Sequence, residues 1–178
     1  MKHALSLALA LCLPMLASAE ALQSSPDILS LEAGVVCPPP AVGTAPAPGT
    51  VAGTTHIIEE EPPFVSTARR VPAVIGIGFG IKALAADDFG MEDVTVVVTH
   101  PPMGPDNVQT QQFGTRISGI SPSITFYQFD YDYELITGQW KMVAIRENRV
   151  LYSVTFDVLP ASAVPELASI CGYEDLFS

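Results

Sequence analysis

Four polar side chains recur at every second position near the middle of the chain, in a pattern that could place carboxylates side by side. They are Gln128, Asp130, Asp132 and Glu134. On an extended strand, alternate residues project from the same face about 7 Å apart. A pair of carboxylates at that spacing could hold a cation or act as acid and base on a sugar.

The surrounding sequence completes neither chemistry. Calcium takes about 6 to 8 oxygen ligands, and no calcium-binding loop motif supplies them here. The intervening side chains are aromatic: Tyr127, Phe129, Tyr131 and Tyr133. The segment is therefore also typical of a strand with a solvated acidic face over an aromatic core face. We predict no metal ligand, cofactor site or catalytic residue from it.

Glycine alternates with large apolar residues earlier in the chain. Gly76, Gly78 and Gly80 resemble part of a nucleotide-binding fingerprint. Ile81 stands where the third glycine of that motif belongs, and the context is a strand rather than the start of a helix. Glycines at period two leave one face of a strand bare, which permits close approach of another backbone or of a proline-rich segment. A docking groove is the functional interpretation of the same pattern.

The histidines and the single tryptophan show no catalytic spacing. His56 is followed by Glu60, where a zinc-hydrolase motif needs a second histidine. His100 precedes Pro101 and is expected at the start of an extended loop. Trp140, beside a predicted hairpin, is expected to anchor the core or a sheet edge, and stacking on a ligand is the alternative.

The N-terminus follows the pattern of a secretory signal peptide, residues 1–19. Lys2 supplies a positive start, residues 4–13 are apolar apart from one serine, and Pro14 breaks the run before a small-residue cleavage site at Ala17-Ser18-Ala19. The apolar run is shorter than the about 20 residues that span a bilayer. We therefore predict cleavage after Ala19 and export to the periplasm or beyond.

The chain is strongly acidic, with 8 basic and 19 acidic residues and a formal net charge of −11. Removal of the signal peptide takes Lys2 and leaves seven basic residues against 19 acidic ones, a charge of −12. Such a surface repels phosphate, so nucleic acid and anionic lipid are poor candidate partners. Cationic ligands, metal ions and basic protein surfaces remain compatible with it, as does acidity that only maintains solubility.

The cysteines predict one cross-link. Cys12 leaves with the signal peptide, so Cys37 and Cys171 remain as an even pair in an oxidising compartment. A disulfide between them would tie the N-terminal segment to the C-terminal tail. The loop-entropy model gives about 5 kcal/mol for closing so long a loop, less any strain in the folded state.

Turn signals divide the rest of the chain into strands. These are predicted at residues 72–82, 94–100, 113–117, 124–135, 139–146 and 150–159. About seven short strands without a long helix are typical of an immunoglobulin-like antiparallel β-sandwich, and a closed barrel is the alternative.

The strand pattern also suggests domain boundaries. We place the sandwich at residues 71–160, behind an N-terminal segment and an extended proline-rich strap at residues 20–70. A short helix is expected before Cys171, in a C-terminal tail, residues 161–178, that the disulfide would dock.

Three strings of residues resemble a family of bacterial exported proteins. They are Val74 to Gly80, the Thr99-His100-Pro101-Pro102-Met103-Gly104 string, and Phe126 to Leu135 with the following Gly138-x-Trp140. Together they resemble the domain-of-unknown-function family 3859, over roughly residues 71–159. The resemblance implies an immunoglobulin-like sandwich and brings no known activity, so it assigns no catalytic residue.

These observations favour a non-enzymatic periplasmic or secreted module that binds an envelope protein or another extracytoplasmic component. The possible binding surface comprises Gly76, Gly78, Gly80, His100, Asp130, Asp132 and Trp140. An envelope hydrolase or carbohydrate-active domain is the alternative, and it would need His100, Asp130 and Asp132 to converge in one cleft. A purely structural spacer is the third possibility.

Overall fold

The computed structural model describes residues 22–38 and 41–177. The signal peptide predicted for residues 1–19, with its cleavage after Ala19, lies outside these ranges. No helix within them is long and apolar enough to cross a membrane.

The described residues form eleven strands and a few short helical turns. The strands are β1 (Gln23–Ser24), β2 (Ile28–Val36), β3 (Gly43–Pro46), β4 (Thr54–Ile57), β5 (Arg70–Pro72), β6 (Gly78–Ala85), β7 (Met91–Met103), β8 (Val108–Ile117), β9 (Ser123–Gln128), β10 (Gly138–Arg146) and β11 (Arg149–Leu159). Helix α1 (Ala168–Cys171) and the 3-10 turns Asp132–Glu134, Ala161–Ala163, Pro165–Leu167 and Glu174–Phe177 complete the structure.

Two sheets form the body of the protein. The larger sheet has the order β1-β11-β10-β7-β8, with β5 added to β11, and the smaller sheet has the order β2-β6-β9. Seven strands make the sandwich, since β1 and β5 are short additions and β3 and β4 pair only with each other. In chain order, the first, second and fifth of the seven share one sheet, and the others form the second.

Two antiparallel sheets packed in this way have the immunoglobulin-like architecture, although the fourth strand, β8, lies in the larger sheet and not with the first, second and fifth. The predicted antiparallel sandwich of about seven strands is therefore confirmed. The strands form separate sheets, so the alternative of a closed barrel is wrong.

Strict alternation of apolar residues builds the core between the sheets. On β7, Val94, Val96 and Val98 are buried while the residues between them are not. At the centre lies Phe79, whose ring centroid is 4.8 Å from that of Phe156. Rings of three further residues lie within 6 Å of it: Tyr127, Phe129 and Trp140. The expectation that Trp140 anchors the core is met, because its side chain is fully buried.

The N-terminal segment departs from the predicted strap. Residues 28–36 form β2, which pairs with β6 along its whole length and buries Val35 and Val36 in the sandwich. The sandwich thus begins well before residue 71. Residues 43–57, expected to belong to the extended strap, form the hairpin β3–β4.

Two predicted strands are interrupted by turns. The strand expected at 72–82 is divided, because Gly76 has a φ of +86° and Ile77 N–H bonds to the carbonyl of Val74, which turns the chain between β5 and β6. The strand expected at 124–135 ends at Gln128, and Asp132–Glu134 is a 3-10 turn. The strand expected at 113–117 starts earlier, at Val108.

The predicted disulfide between Cys37 and Cys171 is present and spans a separation of 134 residues. Cys37 follows β2, and Cys171 ends α1, the short helix expected in the tail. The tail also packs through Leu167 and Tyr173, both buried, and the Tyr173 hydroxyl donates to the carbonyl of Val164 at 2.6 Å.

Candidate functional site

A buried carboxylate, Glu134, organises the turn after β9. Its side chain is 2% exposed. One oxygen accepts from the Tyr127 hydroxyl at 2.5 Å, and the other accepts from the backbone N–H groups of Asp130 at 2.6 Å and Tyr131 at 3.0 Å. Burial raises the pKa of the Glu134 carboxyl, while these donors oppose the rise. The carboxylate therefore bends the chain away from β9 and caps the turn.

Gln111 on β8 continues this polar chain across the sandwich. Its Nε2 donates to the Tyr127 hydroxyl at 3.2 Å and to His100 Nε2 at 3.1 Å, and its Oε1 accepts from Val51 N–H at 2.7 Å. His100 donates through Nδ1 to the carbonyl of Pro101 at 2.8 Å. Every polar atom of the buried Gln111 amide is thus satisfied, which fixes its orientation.

His100 is a neutral core histidine in this arrangement. Its ring stacks on Trp140 with centroids 4.5 Å apart and an angle of 28° between the planes. Burial lowers the pKa of the His100 imidazole, and the bond to Pro101 only partly opposes this. The uncharged ring then accepts from Gln111 at one nitrogen and donates at the other.

A second polar cluster fastens hairpin β3–β4 to the end of β9. His56 Nε2 on β4 lies 2.9 Å from both carboxylate oxygens of Asp130, and Gln128 Nε2 lies 3.0 Å from one of them. Between hairpin and sandwich lies a small cavity of about 50 Å³ lined by His56, Gln111, Gln128 and Glu134 among others. A volume of that size holds a few water molecules.

The predicted acidic stripe does not exist as a strand face. Asp130 pairs with His56, Glu134 is buried, and Asp132 is exposed at the 3-10 turn. The rings of Tyr131 and Tyr133, expected in the core, stack on each other with centroids 5.2 Å apart, and Tyr131 is exposed. The prediction of a solvated acidic stripe is wrong, because the strand ends at Gln128 and the chain turns. The aromatic core face is confirmed for Tyr127 and Phe129, which are buried, and is wrong for Tyr131.

His100, Asp130 and Asp132 do not share a cleft. Asp130 lines the cavity beneath the hairpin, whereas His100 borders a separate surface groove with Lys141 and Thr155. Asp132 lines neither of these two hollows. The convergence that the hydrolase interpretation required is absent from the described part of the chain. Within residues 22–38 and 41–177, no group of three or more acidic, histidine or cysteine side chains is placed to hold a metal ion.

The three glycines permit close approach, as expected, but by neighbours within the fold. A methyl group on Gly80 would lie 2.3 Å from the carbonyl oxygen of Thr125 and 2.5 Å from Phe126 Cβ. One on Gly78 would meet Val36 and Phe126, and one on Gly76 would meet Pro38 of the proline-rich segment at 2.8 Å. The glycine face is therefore covered and offers no open groove.

Two turns meet at the end of the sandwich remote from the disulfide. The turn Asp87–Gly90 joins β6 to β7, and Ser118–Pro122 joins β8 to β9. Their backbones touch, since a methyl group on Gly119 would lie 2.0 Å from the carbonyl oxygen of Asp87. The carbonyl of Ser118 also accepts from Ala85 N–H at 2.9 Å. The two turns therefore pack together as one surface, which we call the loop end.

Each turn of the loop end presents a large apolar side chain to solvent. Phe89 is 96% exposed and Ile120 is 88% exposed. The turn between β10 and β11 lies at the same end, because β10 pairs antiparallel with β7, and it is followed by the exposed Val150. Single exposed apolar residues are ordinary, whereas a contiguous exposed apolar patch marks a contact surface.

Sequence reasoning missed His56, Gln111, Phe89 and Ile120 as site residues. Gln111 and His56 act through partners far away in the chain, which no local pattern reveals. Phe89 and Ile120 carried a usable signal, since each is a large apolar residue inside a turn of small and polar residues.

Comparison with known proteins identifies a family and a solved structure that is similar. A family model described as "Domain of unknown function (DUF3859)" matches residues 25–158. An immunoglobulin-like protein from Pseudomonas aeruginosa is similar at 18% sequence identity and a TM-score of 0.47, over 80% of this chain and 99% of that one. No curated protein matches the chain. Since the family model covers most of the chain, the protein belongs to the DUF3859 family, as its sequence strings predicted.

Proposed function

We propose that the protein is an exported, non-enzymatic binding module that docks on another protein through the loop end. The observation that carries this proposal is the pair of almost fully exposed apolar side chains, Phe89 and Ile120, on two turns whose backbones are in contact. Exposing them costs solvation free energy, of the order of 1.5 to 3 kcal/mol for each such side chain that a partner would bury.

The contact between the two turns supports this use. Both turns are short and braced against each other, so little conformational entropy is lost when they bind. Rigid aromatic and aliphatic anchors at the centre of an interface contribute most of its binding free energy. Sandwich domains of the immunoglobulin type also use turns clustered at one end for recognition, which is an analogy of fold and not of function.

Export is the second part of the proposal. The Cys37–Cys171 disulfide is of the kind that persists in oxidising compartments. The N-terminal sequence supplies the matching signal, with cleavage after Ala19. Intact-mass measurement of the protein from the producing cell tests this part directly. A mature chain that starts at Glu20 and carries no free thiol is expected, and an intact N-terminus with free thiols in the cytoplasm would contradict export.

The docking surface is tested by site-specific photo-cross-linking in the producing cell. A photoreactive phenylalanine analogue is placed at position 89 in one strain and at position 177 in another. Phe177 is a matched control because it is also an exposed phenylalanine, near the disulfide and remote from the loop end. We expect a discrete protein adduct from position 89 only.

Two outcomes of the cross-linking experiment would overturn the proposal. The same adducts from both positions would mean collisions without specificity. No adduct from position 89, or from an equivalent probe at position 120, would favour the structural spacer.

A further inference from the structure

Acidic side chains are concentrated in the first turn of the loop end and at the start of β7, directly after it. Four acidic residues lie within one seven-residue stretch: Asp87, Asp88, Glu92 and Asp93. Asp87 accepts from Phe89 N–H at 2.8 Å and so holds the turn. The other three form no ion pair or side-chain hydrogen bond with any residue in the described ranges, and all are exposed.

The basic residues at this end neutralise little of that charge. Arg149 pairs with Asp27 at 3.4 Å and Arg146 with Glu147 at 3.8 Å. Arg116 on β8 borders the same shallow hollow as Glu92 and Asp93. The surface next to Phe89 is therefore net acidic, on a chain whose formal charge is already −11.

We infer that the partner's docking face is an apolar pocket rimmed by lysine or arginine side chains. This inference rests on the proposed function and adds the chemistry of the partner. Complementary potentials steer association and exclude partners of like charge, and unpaired carboxylates beside an apolar anchor match a basic rim around a pocket.

The same charges disfavour the other occupants of the loop end. Anionic lipid surfaces attract basic segments and repel acidic ones, so the acidic side chains next to Phe89 oppose its insertion into a membrane. A second copy of this chain is also acidic overall, so like charges would meet. A basic protein partner is the occupant that the charge distribution fits.

The test uses the partner identified by cross-linking at position 89, purified, and the full mature chain with its disulfide. One variant, which we call the rim variant, combines Asp88→Asn, Glu92→Gln and Asp93→Asn. A control variant changes the net charge equally at exposed sites remote from the loop end, and combines Asp106→Asn, Asp132→Asn and Glu174→Gln. Association and dissociation rates are measured from about 50 to about 500 mM NaCl, a range over which the Debye length falls several-fold.

We expect the rim variant to associate about tenfold more slowly at low salt, with a flatter dependence on salt and nearly unchanged dissociation. The control variant should keep the wild-type rate and salt slope. A rim variant that behaves like wild type would overturn the inference on charge. In that case a loss of binding in Phe89→Ser would still support the proposed function, so the two failures are distinguishable.

Binding to lipid vesicles tests the alternative that the loop end docks on a membrane. Phosphatidylcholine vesicles with about one quarter phosphatidylglycerol are mixed with the mature chain, and the fraction bound is measured by sedimentation. We expect no retention. Retention that Phe89→Ser abolishes would overturn the inference in favour of a membrane surface.

Discussion

Gln111 and Glu134 show how individual side chains fix the end of the sandwich that holds the hairpin. The Gln111 amide joins both sheets through Tyr127 on β9 and His100 on β7. The nearly fully buried carboxylate of Glu134 accepts hydrogen bonds from three donors. Buried networks of this kind are stable only when every member is satisfied.

Glu134→Gln should destabilise the fold at pH 7 by about 1 to 3 kcal/mol. The new amide N–H₂ would face an N–H or O–H group from which the carboxylate now accepts a hydrogen bond. Asp132→Asn is the matched control, since it makes the same chemical change on an exposed side chain of the same turn. It should change the free energy of unfolding by less than about 0.5 kcal/mol. Urea unfolding measures both, and equal effects of the two would contradict the role assigned to Glu134.

His100 predicts a loss of stability on acidification. Its pKa is below the ordinary value of 6.5 in the folded protein, so the unfolded chain takes up the proton first as the pH falls. The contribution of the neutral ring is complete above pH 6.5 and is lost as the pH falls through the folded-state pKa. Glu134 acts in the opposite sense, since its raised pKa favours the folded state as its carboxyl is protonated.

The measurement for His100 compares wild type with His100→Gln by urea unfolding between pH 7.5 and pH 5. Both proteins contain Glu134, so the change in their difference isolates the imidazole. Wild type should lose stability relative to the variant as the pH falls below about 6.5. A difference that stays constant with pH would show that His100 does not titrate as we argue.

At the scale of elements, alternation predicted most strands, and local turns set where prediction failed. Apolar residues at every second position predicted β7, β10 and β11. The strand expected through residue 135 stops at Gln128, because Glu134 returns to cap Asp130 and Tyr131. Alternation of residue type alone does not reveal a hydrogen bond between a side chain and a backbone group four residues away.

The glycines of β6 yield a prediction at the element scale. Gly80→Ala would place a methyl group 2.3 Å from the Thr125 carbonyl oxygen of the neighbouring strand β9. We expect a destabilisation of at least about 1 to 3 kcal/mol, because the obstacle is backbone. Gly114→Ala on β8 is the control, since nothing lies within 4 Å of its added methyl group. Thermal unfolding that shows equal changes for the two would contradict the close packing of β6 on β9.

At the scale of the whole molecule, the disulfide staples one end of the sandwich and the loop end occupies the other. The cross-link followed from counting cysteines, and the sandwich from counting strands. The loop end could not be predicted by counting, because the turns that carry Phe89 and Ile120 meet only through the order of strands in the two sheets. The N-terminal strand β2 was missed because a proline-rich segment separates it from the main run of strands.

Reduction of the disulfide should lower the free energy of unfolding by about 2 to 5 kcal/mol, because a loop of 134 residues is released in the unfolded chain. Urea unfolding with and without a reductant measures the effect. The double variant Cys37→Ala with Cys171→Ala is the control and should not respond to the reductant. An unchanged wild-type midpoint on complete reduction would contradict a stabilising role for the cross-link.

The central claim, that the loop end is the binding surface, is tested most directly by affinity for the partner captured at position 89. Isothermal titration compares wild type, the double variant Phe89→Ser with Ile120→Ser, and the control Phe177→Ser. We predict that the double variant binds at least about tenfold more weakly, as expected for loss of central apolar anchors, with unchanged thermal stability, and that the control binds like wild type. Equal affinity of all three proteins would contradict the claim.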